Sequence, residues 1–134
     1  MNETTALFWI NCVSIVLIDG FMLVFSKIFL QHPPKTINSL YGYRTTMSMK
    51  NGDTWTFAHQ TIGLLAQKSG VPVLVGSLIL LYALRFVPGY AATSMVVLFL
   101  QIGWIFVLLF LTERALHKRF DKDGNRLEGT DDFQ

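Results

Sequence analysis

The sequence predicts an all-α fold, an integral membrane helical bundle with about three transmembrane helices plus one amphipathic helix. Two observations carry this prediction. Of 134 residues, 51% are hydrophobic and only 15% are charged, with a mean hydropathy of +0.42, which is more apolar surface than a soluble domain of this size can bury. The apolar residues also fall into three long runs, 7–30, 71–87 and 91–112, and a spanning helix needs roughly 20 such residues.

The three runs form one predicted transmembrane domain, residues 1–119, followed by a polar tail at 120–134 that we expect to fray. The first run is predicted to remain as an anchor, because it is too long for a signal peptide and no basic residue precedes it. The second run is short and begins beside Pro72, so its helix should continue backwards, with a bend at the proline. Pro88 and Gly89 predict a tight turn before the third run.

The stretch 54–67 differs from the three runs because its hydrophobicity is one-sided. Apolar side chains recur at helical spacing from Trp55 to Ala66, while polar ones, His59 among them, gather on another face. This pattern predicts an amphipathic helix, capped by Asn51 or Asp53. The helix either lies in the membrane interface or inserts with its polar face toward a cavity, and the sequence leaves both placements open.

The distribution of basic residues predicts the orientation. Ten of the 11 Lys and Arg residues flank the first connection or follow the third run, only Arg85 lies near the second connection, and none precedes the first run. Because basic residues stay on the cytoplasmic side, we expect a multi-pass membrane protein with a defined orientation. Its N-terminus should face outside, and its long loop and C-terminus should face the cytoplasm.

Several function classes are disfavoured. Cys12 has no companion for a disulfide or thiolate site, and three scattered histidines lack zinc-ligand spacing. No basic run with interleaved aromatics suggests nucleic acid as a partner, and no triad or phosphate-binding loop is visible. We therefore expect no cofactor, no metal and no catalytic residues.

Asp19 lies near the middle of the first predicted span, where an ionised carboxylate costs about 2.5 to 3.5 kcal/mol. Gln101 lies at a similar depth in the third span. One interpretation is that Asp19 is neutral or hydrogen-bonded to Gln101 and fixes helix packing. The other is that Asp19 is a proton or ligand site, since intramembrane carboxylates are commonly functional.

The connection between the first two helical segments is dense in polar and aromatic residues. Tyr41 and Tyr43 flank Gly42 and suit a membrane interface, and Arg44 and Lys50 can attract anionic headgroups. Composition alone favours the simpler view that this is a positive-inside loop anchored by aromatics.

Three short motifs in this region resemble the signature of the SdpI/YfhL family of small bacterial membrane proteins. They are an N-x-x-Y-G-Y-R-T element at 38–45, S-M-K-N at 48–51 and W-x-x-A at 55–58, and the resemblance covers about residues 33–70. The family takes its name from a member that protects a bacterium from its own secreted killing peptide. The resemblance implies a place in the bacterial cytoplasmic membrane. It also implies functional roles for seven positions: Asn38, Gly42, Arg44, Thr45, Ser48, Asn51 and Trp55.

Together these arguments select the following candidate ligand-binding residues: Asp19, Asn38, Tyr41, Gly42, Tyr43, Arg44, Thr45, Ser48, Asn51, Trp55, His59 and Gln101. Three hypotheses follow. The first is a resistance or immunity-type protein that binds a membrane-active (antimicrobial) peptide, a lipid or a regulatory protein without turnover. The second is a small proton-coupled transporter that uses Asp19 and must form a homo-oligomer, because three helices enclose no aqueous path. The third, an enzyme acting on lipid, rests only on a polar loop near headgroups, and we expect no enzyme.

Overall fold

The computed structural model describes residues 2–128, which form three long α-helices. They are α1 (Glu3–Gln31), α2 (Gly52–Leu84) and α3 (Tyr90–Arg119). The predicted all-α membrane bundle is confirmed, since all three helices are long and apolar enough to cross a membrane. Helix α2 packs on both neighbours, whereas α1 and α3 meet along a shorter stretch.

The helices are longer than a bilayer needs. Their 29, 33 and 30 residues correspond to about 44 to 50 Å of helix, against a hydrocarbon core of about 30 Å. The loop end of the bundle is defined here as residues 32–51 with the last turns of α1 and α3 and the first turns of α2. The opposite turn end consists of residues 85–89 and the start of α1. Large apolar side chains such as Leu17, Phe99 and Phe106 are exposed on the outer surface, as expected for a surface that faces lipid.

The prediction of a separate amphipathic helix at 54–67 is wrong. These residues are the first half of α2, which continues without a break through Pro72 to Leu84. The expected backward extension of the second span is thus confirmed, and residues 85–87 belong to the turn rather than to the span. Pro72 removes one intrahelical hydrogen bond, a loss that membrane helices tolerate when neighbouring helices pack around it.

Helix starts follow local chemistry. The Asn51 side chain accepts from the backbone N–H groups of Asp53 and Thr54, and the Thr54 hydroxyl accepts in return from the Asn51 N–H. This reciprocal capping box satisfies the amides that the first turn leaves free. Of the two predicted caps, Asn51 is the one that acts. Helix α3 begins after Gly89, whose φ of 77° is left-handed.

Most of the buried apolar residues form two clusters with a polar layer between them. The turn-end cluster contains Phe8, Ile15, Leu81, Tyr90 and Val97. The loop-end cluster contains Phe29, Tyr43, Met47, Ala58, Ile62, Leu116 and Phe120. Asp19 and Gln101 lie between them along α1 and α3.

The tail after α3 folds back onto the loop end over its described part, residues 120–128. Phe120 is buried and forms an isolated antiparallel bridge with Arg126 around a turn at Gly124. Arg126 binds the Asp53 carboxylate with two nitrogens, one contact being 2.7 Å. The expected fraying does not describe this segment, because Phe120 anchors it in the loop-end cluster. Residues 129–134 of the predicted tail lie outside the described residues.

Candidate functional site

Trp55 fastens the connecting loop to α2. Its indole is completely buried, and its Nε1 donates to the carbonyl of Pro34 at 2.8 Å. The contact joins the exit of α1 to the first turn of α2 across 21 residues of sequence. Trp55 therefore sets the path of the loop.

His59 lies one turn farther along α2 and has both ring nitrogens engaged by backbone. Nδ1 lies 2.7 Å from the carbonyl of Trp55, and Nε2 lies 2.9 Å from the backbone nitrogen of Tyr43. A carbonyl only accepts and an N–H only donates, so this geometry requires the neutral tautomer protonated at Nδ1. With no lone pair left, His59 acts as a fixed acceptor for the loop.

Gly42 is the point at which the loop approaches α2 most closely. Its φ is +122°, and a Cβ built there would lie 2.5 Å from Nε2 of His59 and 3.0 Å from Cη2 of Trp55. A side chain would be strained by the backbone conformation and would collide with both rings. The glycine between Tyr41 and Tyr43 is therefore a steric requirement of the His59 contact.

Tyr43 connects the loop to α3. Its ring is buried, and its hydroxyl lies 3.0 Å from Oε2 of Glu113 and 3.2 Å from the carbonyl of Leu109. Burial, reinforced by the negative charge of Glu113, raises the pKa of Tyr43. The phenol thus remains a neutral donor that holds the loop against α3.

Thr45, Ser48 and Asn51 shape the loop just before α2. The Ser48 hydroxyl is buried and accepts from the Thr45 N–H at 2.8 Å, while it lies 2.9 Å from the carbonyl of Tyr43. The amide nitrogen of Asn51 donates to the carbonyl of Gly124 in the tail at 2.7 Å. The Thr45 hydroxyl accepts from the Ser48 N–H at 3.1 Å, so all three side chains hold backbone groups.

Asn38, Tyr41 and Arg44 form the outer edge of the loop. The Asn38 oxygen accepts from the N–H groups of Leu40 and Tyr41, closing a local turn. Arg44 is exposed and donates through Nη1 to the carbonyl of Ser39 at 2.9 Å, and the Tyr41 side chain is 46% exposed. Among the predicted loop residues, Tyr41 and Arg44 are the ones with side chains presented to an approaching molecule.

Asp19 and Gln101 form the hydrogen bond that one of the two interpretations of the sequence proposed. Gln101 Nε2 donates to Asp19 Oδ2 at 2.8 Å, and the two side chains are 0% and 1% exposed. The other oxygens, Asp19 Oδ1 and Gln101 Oε1, are buried without a partner among the described residues. The pair lies about 18 Å along α1 from the loop end, so the structure divides the predicted residues into two separate groups.

An apolar groove runs from the loop toward this pair. Its volume is about 210 Å³, and its lining comes from all three helices and from the loop residues Gly42 and Tyr43. Phe21, Phe25 and Phe29 form its α1 wall, and Ile105 lies on the α3 side. Because Phe21 is 61% exposed, the groove opens onto the lipid-facing surface of the bundle.

Sequence reasoning missed several contributors to this region. Pro34, Leu109 and Gly124 act through backbone carbonyls, which leave no trace in side-chain patterns. The sequence predicts for Glu113 and Arg114, at the end of the third span, either an interfacial pair or a clamp on the loop, and in the structure Glu113 accepts from Tyr43 of the loop. The D-K-D-G-N run at 121–125 is a turn signal that, read with Phe120 before it, would have indicated a folded tail.

Comparison with known proteins gives a family and a curated relative. Residues 35–112 match the SdpI/YfhL protein family. The uncharacterized protein YfhL of Bacillus subtilis (strain 168) is 33% identical over 101 residues, which cover 75% of this chain and 84% of that protein. No solved structure matches the chain. The family match includes every candidate residue of the loop end and Gln101, but it begins after Asp19.

Proposed function

The chain belongs to the SdpI/YfhL protein family, and on that premise we propose that it is an immunity-type membrane protein that binds a membrane-active peptide without turnover. Family membership suggests the immunity type and a place in the membrane. The peptide as ligand and the absence of turnover are our proposal.

The observation that carries the proposal is the apolar groove at Gly42 and Tyr43. A membrane-active peptide inserts with apolar side chains buried in the bilayer and polar groups near the interface. A groove of about 210 Å³ lined by Phe21, Phe25 and Phe29 suits one or two such apolar side chains. The exposed Tyr41 and Arg44 of the same loop suit the polar part of the peptide.

Binding without turnover is supported by how the polar groups beside the groove are used. The Ser26 hydroxyl donates to the carbonyl of Leu23 at 2.7 Å, and the Tyr43 hydroxyl is held by Glu113. Both nitrogens of His59 are engaged by backbone. None of these groups is positioned as a free base or nucleophile.

The test of the proposal fills the apolar groove with a larger side chain on α3. Ile105→Trp adds volume to the lining, and Ile102→Trp, on the exposed face of the same helix, is the matched control. Fluorescein-labelled amphipathic peptides that permeabilise vesicles are titrated against each protein in nanodiscs, and cells producing each protein are challenged with the same peptides. We expect wild type and Ile102→Trp to bind saturably and to protect, and Ile105→Trp to do neither. Equal binding and protection by both variants, or binding of no peptide, would contradict the proposal.

The proposed orientation has the N-terminus outside and the loop in the cytoplasm. It is supported by nine of the 11 basic residues lying on the loop side, whereas Lys68 lies in the middle of α2 and Arg85 lies at the turn end. A cysteine introduced at Thr46 in a Cys12→Ser background should resist membrane-impermeant maleimide applied to intact cells and react after permeabilisation. Labelling in intact cells would contradict this orientation and show that the loop faces outside.

A second candidate function, proton-coupled transport by an oligomer, is favoured by one observation. Asp19 Oδ1 and Gln101 Oε1 are buried acceptors without partners among the described residues, and a proton bound at Asp19 would supply a donor to this pair. Proton-driven flux in liposomes that is lost in Asp19→Asn would support transport. Flux equal to that of empty liposomes would exclude proton-coupled transport.

A further inference from the structure

We infer that the α2–α3 face of the loop end binds one anionic phospholipid, with its phosphodiester held by Arg119. This basic pocket has a volume of about 470 Å³ and is lined by the first turns of α2, by Arg119 near the end of α3 and by Arg126 of the tail. It shares no lining residue with the apolar groove. The inference therefore does not depend on the proposed function.

The Arg119 guanidinium is held in place but has hydrogen-bonding capacity left. Its Cζ lies 5.2 Å from the centre of the Phe57 ring, a cation–π contact, and its Nε is buried without a partner among the described residues. A buried donor without an acceptor is costly. A phosphate oxygen is the acceptor that a planar guanidinium binds best, because it takes parallel hydrogen bonds.

The charge of the pocket favours an anion despite the presence of Asp53. That carboxylate is already paired with Arg126 by two hydrogen bonds, so Arg119 leaves the lining with a net positive charge. Gln60 and Thr61 also line the pocket and offer amide and hydroxyl donors. A phosphodiester, which carries one negative charge and several acceptor oxygens, complements this set.

An adjoining cavity extends the surface toward the membrane. It has a volume of about 400 Å³, shares Thr61 with the basic pocket, and is lined by Leu65 and Leu111 together with Arg114 and Lys118. Apolar side chains beside basic ones fit a lipid, whose acyl chains would follow the leucines below the headgroup. A soluble phosphate would make no use of them.

The depth of the pocket agrees with a headgroup. Helix α2 has 33 residues and exceeds the hydrocarbon core by about 20 Å. Because its other end meets a tight turn, most of this excess lies at the loop end. Gln60 then lies about 12 Å from the start of α2, at the level of headgroups rather than of acyl chains.

The experiment measures lipid binding to the full chain after delipidation, by native mass spectrometry. Dioleoyl phosphatidylglycerol and dioleoyl phosphatidylcholine carry the same acyl chains and differ in headgroup charge. We expect one tight phosphatidylglycerol site and weaker phosphatidylcholine binding. Arg119→Gln should weaken phosphatidylglycerol binding about fivefold, which is the contribution of one basic residue near an anionic headgroup.

Two further variants keep the result decisive. Gln60→Glu places a negative charge in the lining at an exposed position and should weaken binding as Arg119→Gln does, even where Arg119→Gln fails to fold. Lys122→Gln removes one positive charge at the same end of the bundle but outside both cavities, and it should bind as wild type does. Equal binding of the two lipids, or of Gln60→Glu and Lys122→Gln, would overturn the inference. Displacement of phosphatidylglycerol by inorganic phosphate would also overturn it, because the pocket would then hold a soluble anion.

Discussion

The loop end and the mid-membrane pair, Asp19 and Gln101, both contain buried polar side chains, but these side chains are used in opposite ways. At the loop end, both ring nitrogens of His59 form hydrogen bonds with backbone groups, and the Ser48 hydroxyl does the same with the loop backbone. In the middle of the bundle, Asp19 and Gln101 share one hydrogen bond and leave an oxygen each without a partner among the described residues.

The difference separates polar residues that build the fold from those that retain chemical capacity. A polar group with every donor and acceptor engaged has nothing left for a ligand, and its loss is felt as instability. A buried acceptor without a partner carries a cost that only a proton, a water molecule or a ligand removes. Five predictions test this contrast, beginning with the largest expected effect.

Gly42→Ala should have the largest effect on stability. The new Cβ would collide with His59 and Trp55 at a left-handed φ, and strain plus overpacking should cost about 3 kcal/mol or more. Gly103→Ala is the matched control, because nothing lies within 4 Å of its Cβ position. Thermal unfolding in detergent measures both, and equal melting temperatures would show that the loop does not depend on close approach to α2.

His59→Phe should be the next most damaging. The ring volume is kept, but the buried N–H of Tyr43 loses its acceptor, at a cost of about 2 kcal/mol. Amide hydrogen exchange at Tyr43 should accelerate together with the loss of thermal stability. An unchanged exchange rate would mean that the histidine acts by packing alone.

Asp19→Leu and Asp19→Asn should differ in stability, because they change the bond to Gln101 in different ways. Leucine leaves the Gln101 amide unpaired and should cost about 1 to 2 kcal/mol, whereas asparagine retains an acceptor and should remain near wild type in melting temperature. Asparagine therefore removes proton exchange at this position without the loss of stability expected for leucine. If leucine is tolerated as well as asparagine, the pair does not hold α1 to α3.

Tyr43→Phe should cost about 1 kcal/mol at neutral pH, because the hydrogen bond to Glu113 is lost. Burial and Glu113 raise the pKa of Tyr43, so the folded state keeps the proton where the unfolded chain, with a pKa near 10, has released it. The stabilisation by Tyr43 is therefore present below about pH 10 and declines as the pH rises further. Melting temperatures between about pH 8 and 11 should converge for wild type and Tyr43→Phe. Parallel curves would contradict this account.

Arg44 should show the smallest effect on stability and a clear effect on binding. Its side chain is exposed and makes one bond to backbone, so Arg44→Ala should change stability by less than about 0.5 kcal/mol. Arg44→Lys should impair peptide protection nearly as much as Arg44→Ala, because an ammonium cannot form two parallel hydrogen bonds. Full protection by the lysine variant would show that only the positive charge of Arg44 is needed.

The sequence by itself determined the helical membrane bundle, limited the cap of α2 to Asn51 or Asp53, and proposed the Asp19–Gln101 bond as one of two interpretations. These follow from hydropathy, from local chemistry at a helix start, and from the depth of two polar residues in apolar helices. Such properties depend on the residue and its near neighbours, and a bilayer leaves few alternatives for a buried carboxylate. The family motifs likewise identified the loop as the informative segment.

Only the tertiary structure decided what the loop residues do. The partner of Tyr43 lies 70 residues away at Glu113, and Asn51 bonds the tail 73 residues away at Gly124. Such pairings depend on how each helix is rotated and where the loop and tail cross it, and side-chain periodicity does not encode either. The same dependence explains why His59, polar in sequence, became a saturated acceptor, and why a tail of balanced charge became part of a basic pocket.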